Sequence, residues 1–172
     1  AIKPGLSFQL GGFEIPTPKR PFLIRAFNVL RQYHVDEVLP AWQRLQEKIE
    51  NDGIIIDGTC DEIGRRSTWI TLSKSAPISL TLATRLIGLE DPKELAERLP
   101  KILIHRNVQG ERIFNFLEDL SFAWKSNSSL KIFGPRQRWN ASVATVRKDW
   151  PISSTGLGEL TIAWDAVNPL KN

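Results

Sequence analysis

An open-sheet α/β fold with a parallel βαβ core and antiparallel C-terminal strands is what this sequence predicts, and three stretches predict it. Phe22 to Leu30, FLIRAFNVL, is an almost continuous apolar run of strand length. Val35, Val38, Leu39, Trp42, Leu45 and Ile49 then recur at helical spacing, with Gln43, Arg44, Glu47 and Lys48 between them. Asn51, Asp52 and Gly53 end that stretch, and Ile54 to Asp57, IIID, is a second apolar run. Strand, amphipathic helix and strand within about forty residues form a βαβ unit, which joins parallel neighbours through a right-handed crossover. Neither run alternates with polar residues, so both strands are expected to be buried on both faces.

The remaining elements follow in order. The breakers PTPKRP, Pro16 to Pro21, precede the first strand. Asp36 is the expected N-cap of the helix, where Pro40 is tolerable because it falls near the first turn. STWITLS and ISLTLAT alternate polar and apolar residues on either side of KSAP, the pattern of an antiparallel pair. Asp91 as N-cap, Pro92 at the first position and Glu94 as the reciprocal acceptor predict a short helix over DPKELAERL. KILIH, Lys101 to His105, reads as one more strand. Ile113, Phe116, Leu117, Leu120 and Trp124 mark one helix stripe, and Trp139, Val143, Val146 and Trp150 another. The chain closes on GELTIAWDAV, a good strand. No repeat or low-complexity segment interrupts the sequence.

Composition bounds the class. A chain of 172 residues, 41% hydrophobic and 24% charged, suits one soluble domain with a sizeable core. No apolar run approaches the roughly eighteen residues of a membrane helix, and no signal-peptide pattern opens the chain, so no membrane partner and a cytoplasmic location are the expectations. A single cysteine, Cys60, rules out an internal disulfide and a cysteine-based zinc cluster within these residues, and no metal site is expected. There is no methionine and the sequence opens at Ala1, which suggests a processed or incomplete chain. The net charge of +4 is spread evenly. One local bias stands out: Leu120 to Lys148 holds Lys125, Lys131, Arg136, Arg138, Arg147 and Lys148 with no acid, interleaved with Phe122, Trp124, Phe133 and Trp139. Such a segment is a candidate nucleic-acid surface.

Open parallel sheets bind ligands outside the carboxyl ends of their strands, where loops and unpaired backbone amides converge. That rule selects Asn28 to Tyr33, NVLRQY, and Gly58 to Arg66, GTCDEIGRR, as neighbouring clusters. Asn28 is either a substrate or cofactor contact or a turn-former closing the strand. Arg31 beside Arg65 and Arg66 would form an anion pocket, with Thr59 near it, or else these are helix-entry and turn residues. Cys60 lacks a base nearby in sequence and reads as a small buried thiol rather than a nucleophile. Asp61 and Glu62 are either a general base with its partner or caps of the turn before Ile63. In HRN, His105 is a proton acceptor or a structural histidine, with Arg106 beside it for an acidic substrate. In GPRQRW, Gly134 to Trp139, Arg136 and Arg138 either face a substrate or clamp segments together.

The stretches LSFQLGGFEIP, IRAFNVLRQY, DGIIIDGTCDEIGRR, ERLPKILIHRN, FGPRQRW and LGELTIAWDAV resemble, in that order, segments of a group of bacterial class I S-adenosylmethionine-dependent methyltransferases. The resemblance spans nearly the whole chain but only the later part of that family. It implies a Rossmann-like open sheet with a helical insertion, forming one methyltransferase-like domain over residues 1–172 that lacks the N-terminal cofactor strands. In that fold a glycine-rich turn and an acidic strand end hold the methionine and ribose of S-adenosylmethionine, and nothing here matches them. Leu6 to Leu10 resembles the third strand of the fold, and the turn after it, with Gly12 and Phe13, would hold adenine by stacking and backbone groups. Ala26, Phe27 and Asn28 resemble the end of the fourth strand beside the methyl group. Asn28 and Tyr33, with Asp61 and His105, are then candidates for orienting the acceptor; Thr59, Arg31, Arg65, Arg66, Arg106, Arg136 and Arg138 are candidates for binding an acidic one. The loop after Asn28 lacks the prolines usual in enzymes that methylate amino groups. The alternatives are a non-catalytic nucleic-acid-binding module over 120–148 and a degenerate structural partner whose exposed sheet edge pairs with a second chain, as a homodimer or otherwise.

Overall fold

In the computed structural model, which describes residues 5–170, six strands form one open mixed sheet flanked by helices. The strands are β1 (Leu23–Phe27), β2 (Ile54–Cys60), β3 (Arg66–Leu72), β4 (Pro77–Thr84), β5 (Ile152–Thr155) and β6 (Glu159–Ala163), in the spatial order β1-β2-β3-β4-β6-β5. Only β1 and β2 run parallel; every other pairing is antiparallel. Helix α1 (Val38–Lys48) makes the crossover from β1 to β2. Helices α2 (Lys101–Ile104), α3 (Arg112–Ser126) and α4 (Pro135–Val146) lie between β4 and β5 in the chain. The fold is thus mixed α/β, with the parallel part confined to the predicted βαβ unit.

Burial alternates along the strands, contrary to the expectation that the first two would be covered on both faces. One face, through the row Ala26, Asp57, Ile70, Leu80, Ile162, is buried. Trp42 of α1 and Trp164, just after β6, meet above it with ring centroids 6.1 Å apart. The opposite face carries the row Phe27, Gly58, Trp69, Thr81, Thr161, and beside it Leu23, Arg25, Ile54, Ile56 and Thr71. Apart from Gly58 and Thr81, those residues are half-buried or exposed. The isoleucine run therefore misled: Ile54 and Ile56 point to the open face, and only Ile55 is fully buried.

Several elements differ from expectation for identifiable reasons. Phe22 to Leu30 yields only five strand residues, because Asn28 takes a left-handed backbone (φ 58°) and turns the chain into a 3-10 turn at Leu30–Gln32. Asp36 does not cap α1; a 3-10 turn at Val35–Glu37 precedes the helix, and the Glu37 carboxylate accepts the His34 N–H at 2.8 Å. KILIH forms the short helix α2, not a strand: Pro100 starts it, and its carbonyl accepts the N–H groups of Leu103 and Ile104. Leu6 to Leu10 forms no strand; Leu10 and Phe8 are exposed, with no ladder partner to order them. GELTIAWDAV stops being a strand at Ala163 and turns into a 3-10 turn over Trp164–Ala166. DPKELAERL is a 3-10 helix with the expected cap: Asp91 Oδ1 accepts from Lys93 N–H at 2.9 Å and Glu94 Oε1 from Asp91 N–H at 3.0 Å.

Candidate functional site

The carboxyl ends of β1 and β2 do lie side by side, and Asn28 joins them. Its N–H donates to the Gly58 carbonyl at 2.8 Å, its Oδ1 accepts the Cys60 N–H at 3.0 Å, and its Nδ2 donates to Cys60 Sγ at 3.3 Å. Gln32 Nε2 donates to the Asn28 carbonyl at 3.0 Å. The side chain thus continues the β1–β2 ladder one step past its end, and both of its polar atoms are engaged. Thr59 also belongs to the interior rather than to a ligand site: it is buried, and its hydroxyl donates to the Arg98 carbonyl, which Thr68 shares.

Asp61 shapes the turn that follows. Burial raises its carboxyl, but the N–H groups of Arg65, Arg66 and Ile63, with Arg98 nearby, outweigh this and hold it below the usual carboxylate range. An acid kept ionised by turn amides is a poor proton acceptor, so Asp61 acts as the cap of this turn. Beyond it, Arg65, Arg66 and Arg85 line a cavity of about 190 Å³, and Arg66 pairs with Glu94. Arg31 does not join them; it faces the Leu99 carbonyl at 3.5 Å.

Three residues that the family resemblance selected do come together. Gly12, Phe13 and Tyr33 line a cavity of about 620 Å³ between the loop before β1 and the outer side of α1. The rings of Phe13 and Tyr33 are 5.3 Å apart and tilted by 59°, a favourable aromatic arrangement. Glu14 turns back on its loop to accept the Gly12 N–H at 2.8 Å. Asp36, Glu37, Arg44, Glu47 and Lys48 supply the charged wall. Ala26 and Phe27 do not reach this cavity: Ala26 is buried beneath the helices and Phe27 lies on the open face with Arg25 stacked 3.8 Å above its ring.

His105 and Arg106 occupy a separate cleft of about 510 Å³ that also includes Leu39, Trp42, Ile102 and Trp164. Arg106 is held by Glu111 at 2.8 Å and by the Leu170 carbonyl at 2.7 Å. Behind this cleft the sequence reading missed Asp57. It is 1% exposed, and among the described residues its carboxylate accepts one hydrogen bond, from Trp42 Nε1 at 2.9 Å. Burial pushes its carboxyl up to about 6, against the pull of the indole N–H. The signal that could have found it is the spacing: Asp57 shares the face of Ile55, two residues back, and so points inward.

The segment from Leu120 to Lys148 is largely occupied with itself. Trp124 and Trp139 are fully buried, 6.4 Å apart. Arg138 stacks 3.9 Å over the Trp124 ring and donates twice to the Trp124 carbonyl, so it clamps α3 to α4. Lys125 pairs with Asp91 at 3.0 Å. Lys131, Arg136, Arg147 and Lys148 remain at the surface with Phe122 and Phe133. Arg136 and Arg147 line a further cavity of about 290 Å³, far in sequence from the strand-end clusters. Among the described residues no group of three or more His, Cys, Asp or Glu side chains is arranged to hold a metal ion, and no helix is long and apolar enough to cross a membrane. No protein-family model matches the chain, and no significant match to it was found among curated proteins or solved structures.

Proposed function

We propose that this chain is the C-terminal portion of a class I methyltransferase-like domain, and that the Gly12, Phe13 and Tyr33 cavity receives the adenosyl end of S-adenosylmethionine. The observation that carries the reading is the convergence itself: Gly12 and Phe13 lie on one loop, Tyr33 lies beyond β1, and all three line one open cavity. An adenine ring is flat and apolar on its faces, and two tilted aromatic rings on one cavity wall offer it stacking.

The chemistry in this class is in-line positioning of an acceptor against the sulfonium, and it needs no base unless the acceptor must lose a proton. Of the residues to which the resemblance gives acceptor orientation, Tyr33 is the one that borders this cavity. Asn28 supports the site from below by fixing the ends of β1 and β2. His105, Arg106, Arg136 and Arg138 stand apart from the cavity and take no role in this reading.

No glycine-rich turn for the methionine and ribose occurs in these residues, so binding by the 172-residue chain is expected to be weak. Saturation-transfer NMR with S-adenosylhomocysteine tests this. Transfer to the adenine protons, lost in Phe13→Ala, is the expected result. Absence of any transfer sinks the adenosyl assignment, and micromolar affinity sinks the claim that the site is partial.

A further inference from the structure

We infer a second ligand site where Arg65, Arg66 and Arg85 line their cavity of about 190 Å³, and we assign to it a single phosphoryl group carried by a small molecule. The Arg85 N–H donates to the Arg65 carbonyl at 2.7 Å, one step beyond the point where Arg66 pairs with Thr84 in the β3–β4 ladder. The backbone therefore holds two cationic residues as neighbours, an arrangement that is destabilising for like charges unless a counter-charge sits between them.

The nearby carboxylates do not supply that charge. Asp61 is committed to the backbone, accepting the Arg65 N–H at 2.7 Å. Glu94 pairs with Arg66 and accepts the N–H groups of Glu90 and Asp91. Glu62 and Glu90 are exposed and form no ion pair with either arginine. Among the described residues Arg65 and Arg85 are thus exposed cations without a carboxylate partner, beside a cavity whose remaining wall includes Thr84 and Gly88. Guanidinium forks match the oxygens of a phosphoryl group bidentately, as they do those of a carboxylate, and a group carrying about two negative charges answers two neighbouring cations better than a single carboxylate does. The recess admits one such group but not a nucleoside with it, so any attached body stays outside.

The test is a titration of the 172-residue chain with inorganic phosphate and with phenyl phosphate, followed by the amide shifts of Thr84, Arg85 and Gly88. Saturable binding of both is expected, weakened about tenfold in Arg65→Ala and in Arg85→Ala, and a few-fold in Arg85→Lys, which keeps the charge and loses the fork. Arg136→Ala, an exposed cation elsewhere, should leave it unchanged. Three results overturn the inference: no saturable shift, equal weakening by Arg136→Ala, or tighter binding of a short RNA than of phenyl phosphate. Arg85 is exposed, so its replacement spares the core, and the lysine variant reports on the site even if the alanine variant misfolds. Failure here leaves the methyltransferase reading intact, because the Gly12, Phe13 and Tyr33 cavity uses none of these residues.

Discussion

Asn28 and Asp57 are the two residues on which sequence and structure diverge most. Asn28 stands where a substrate contact would stand, yet its amide is engaged by Cys60 and its backbone is left-handed. Asn28→Ala loses the two side-chain bonds to Cys60 and the asparagine's tolerance of a left-handed backbone, so urea unfolding should show a loss of about 2–3 kcal/mol. Asn28→Gly, free of the backbone cost, should lose about 1 kcal/mol. A purely ligand-binding role would leave both stabilities unchanged. Asp57 presents the opposite case, a buried carboxyl whose folded value of about 6 lies above the ordinary 3.8. Between those values the folded state binds more protons than the unfolded state, so stability falls as pH rises. Relative to Asp57→Asn, which keeps an acceptor for Trp42, the parent chain should lose on the order of 3 kcal/mol between about pH 4 and pH 7. A constant difference across that range would show that Asp57 does not carry the buried charge. The type of each residue was readable, but its role was not. An aspartate after three isoleucines looks like the end of a strand; the two-residue spacing from Ile55 puts it on an inward face, and the register opposite Ala26 and Ile70 shows that this face lies under α1.

Elements were legible where a long period or a local rule fixed them. The α1 stripe, the β3–β4 hairpin and the Asp91 cap all follow from spacing or turn chemistry within a few residues. KILIH failed because an apolar run of three residues, Ile102 to Ile104, has no period of its own, and Pro100 at its start decides the outcome. The isoleucines of β2 failed for a different reason: whether the second face is covered depends on the rest of the molecule and not on the strand. Gly58 is where that second face is tightest. A β-carbon there would lie 2.7 Å from the Phe27 ring and 2.8 Å from Trp69 Cβ. Gly58→Ala must therefore push apart the β1–β3 aromatic pair and should cost about 1–3 kcal/mol in thermal or urea unfolding. An unchanged midpoint would mean that Phe27 and Trp69 are free to move aside.

For the whole molecule, the sheet has one face buried under helices and one face left largely open, with β1 and β5 as its edges. The βαβ unit places two strand ends together, as the sequence led one to expect, but the polar tail of β2 turns out to be divided in its work. Asn28, Thr59 and Asp61 hold the strand ends in place, while Arg65 and Arg85 face solvent around a recess. What the sequence could not convey is that the loop around Gly12 and Phe13 comes back to Tyr33, since nothing periodic links them. That meeting carries the functional reading, and amide-shift mapping with S-adenosylhomocysteine tests it most directly. The account predicts weak, saturable shifts centred on Gly12, Phe13 and Tyr33, and their loss in Tyr33→Ala. Shifts centred instead on the Trp42 and Trp164 cleft, or no shifts at all, would contradict it.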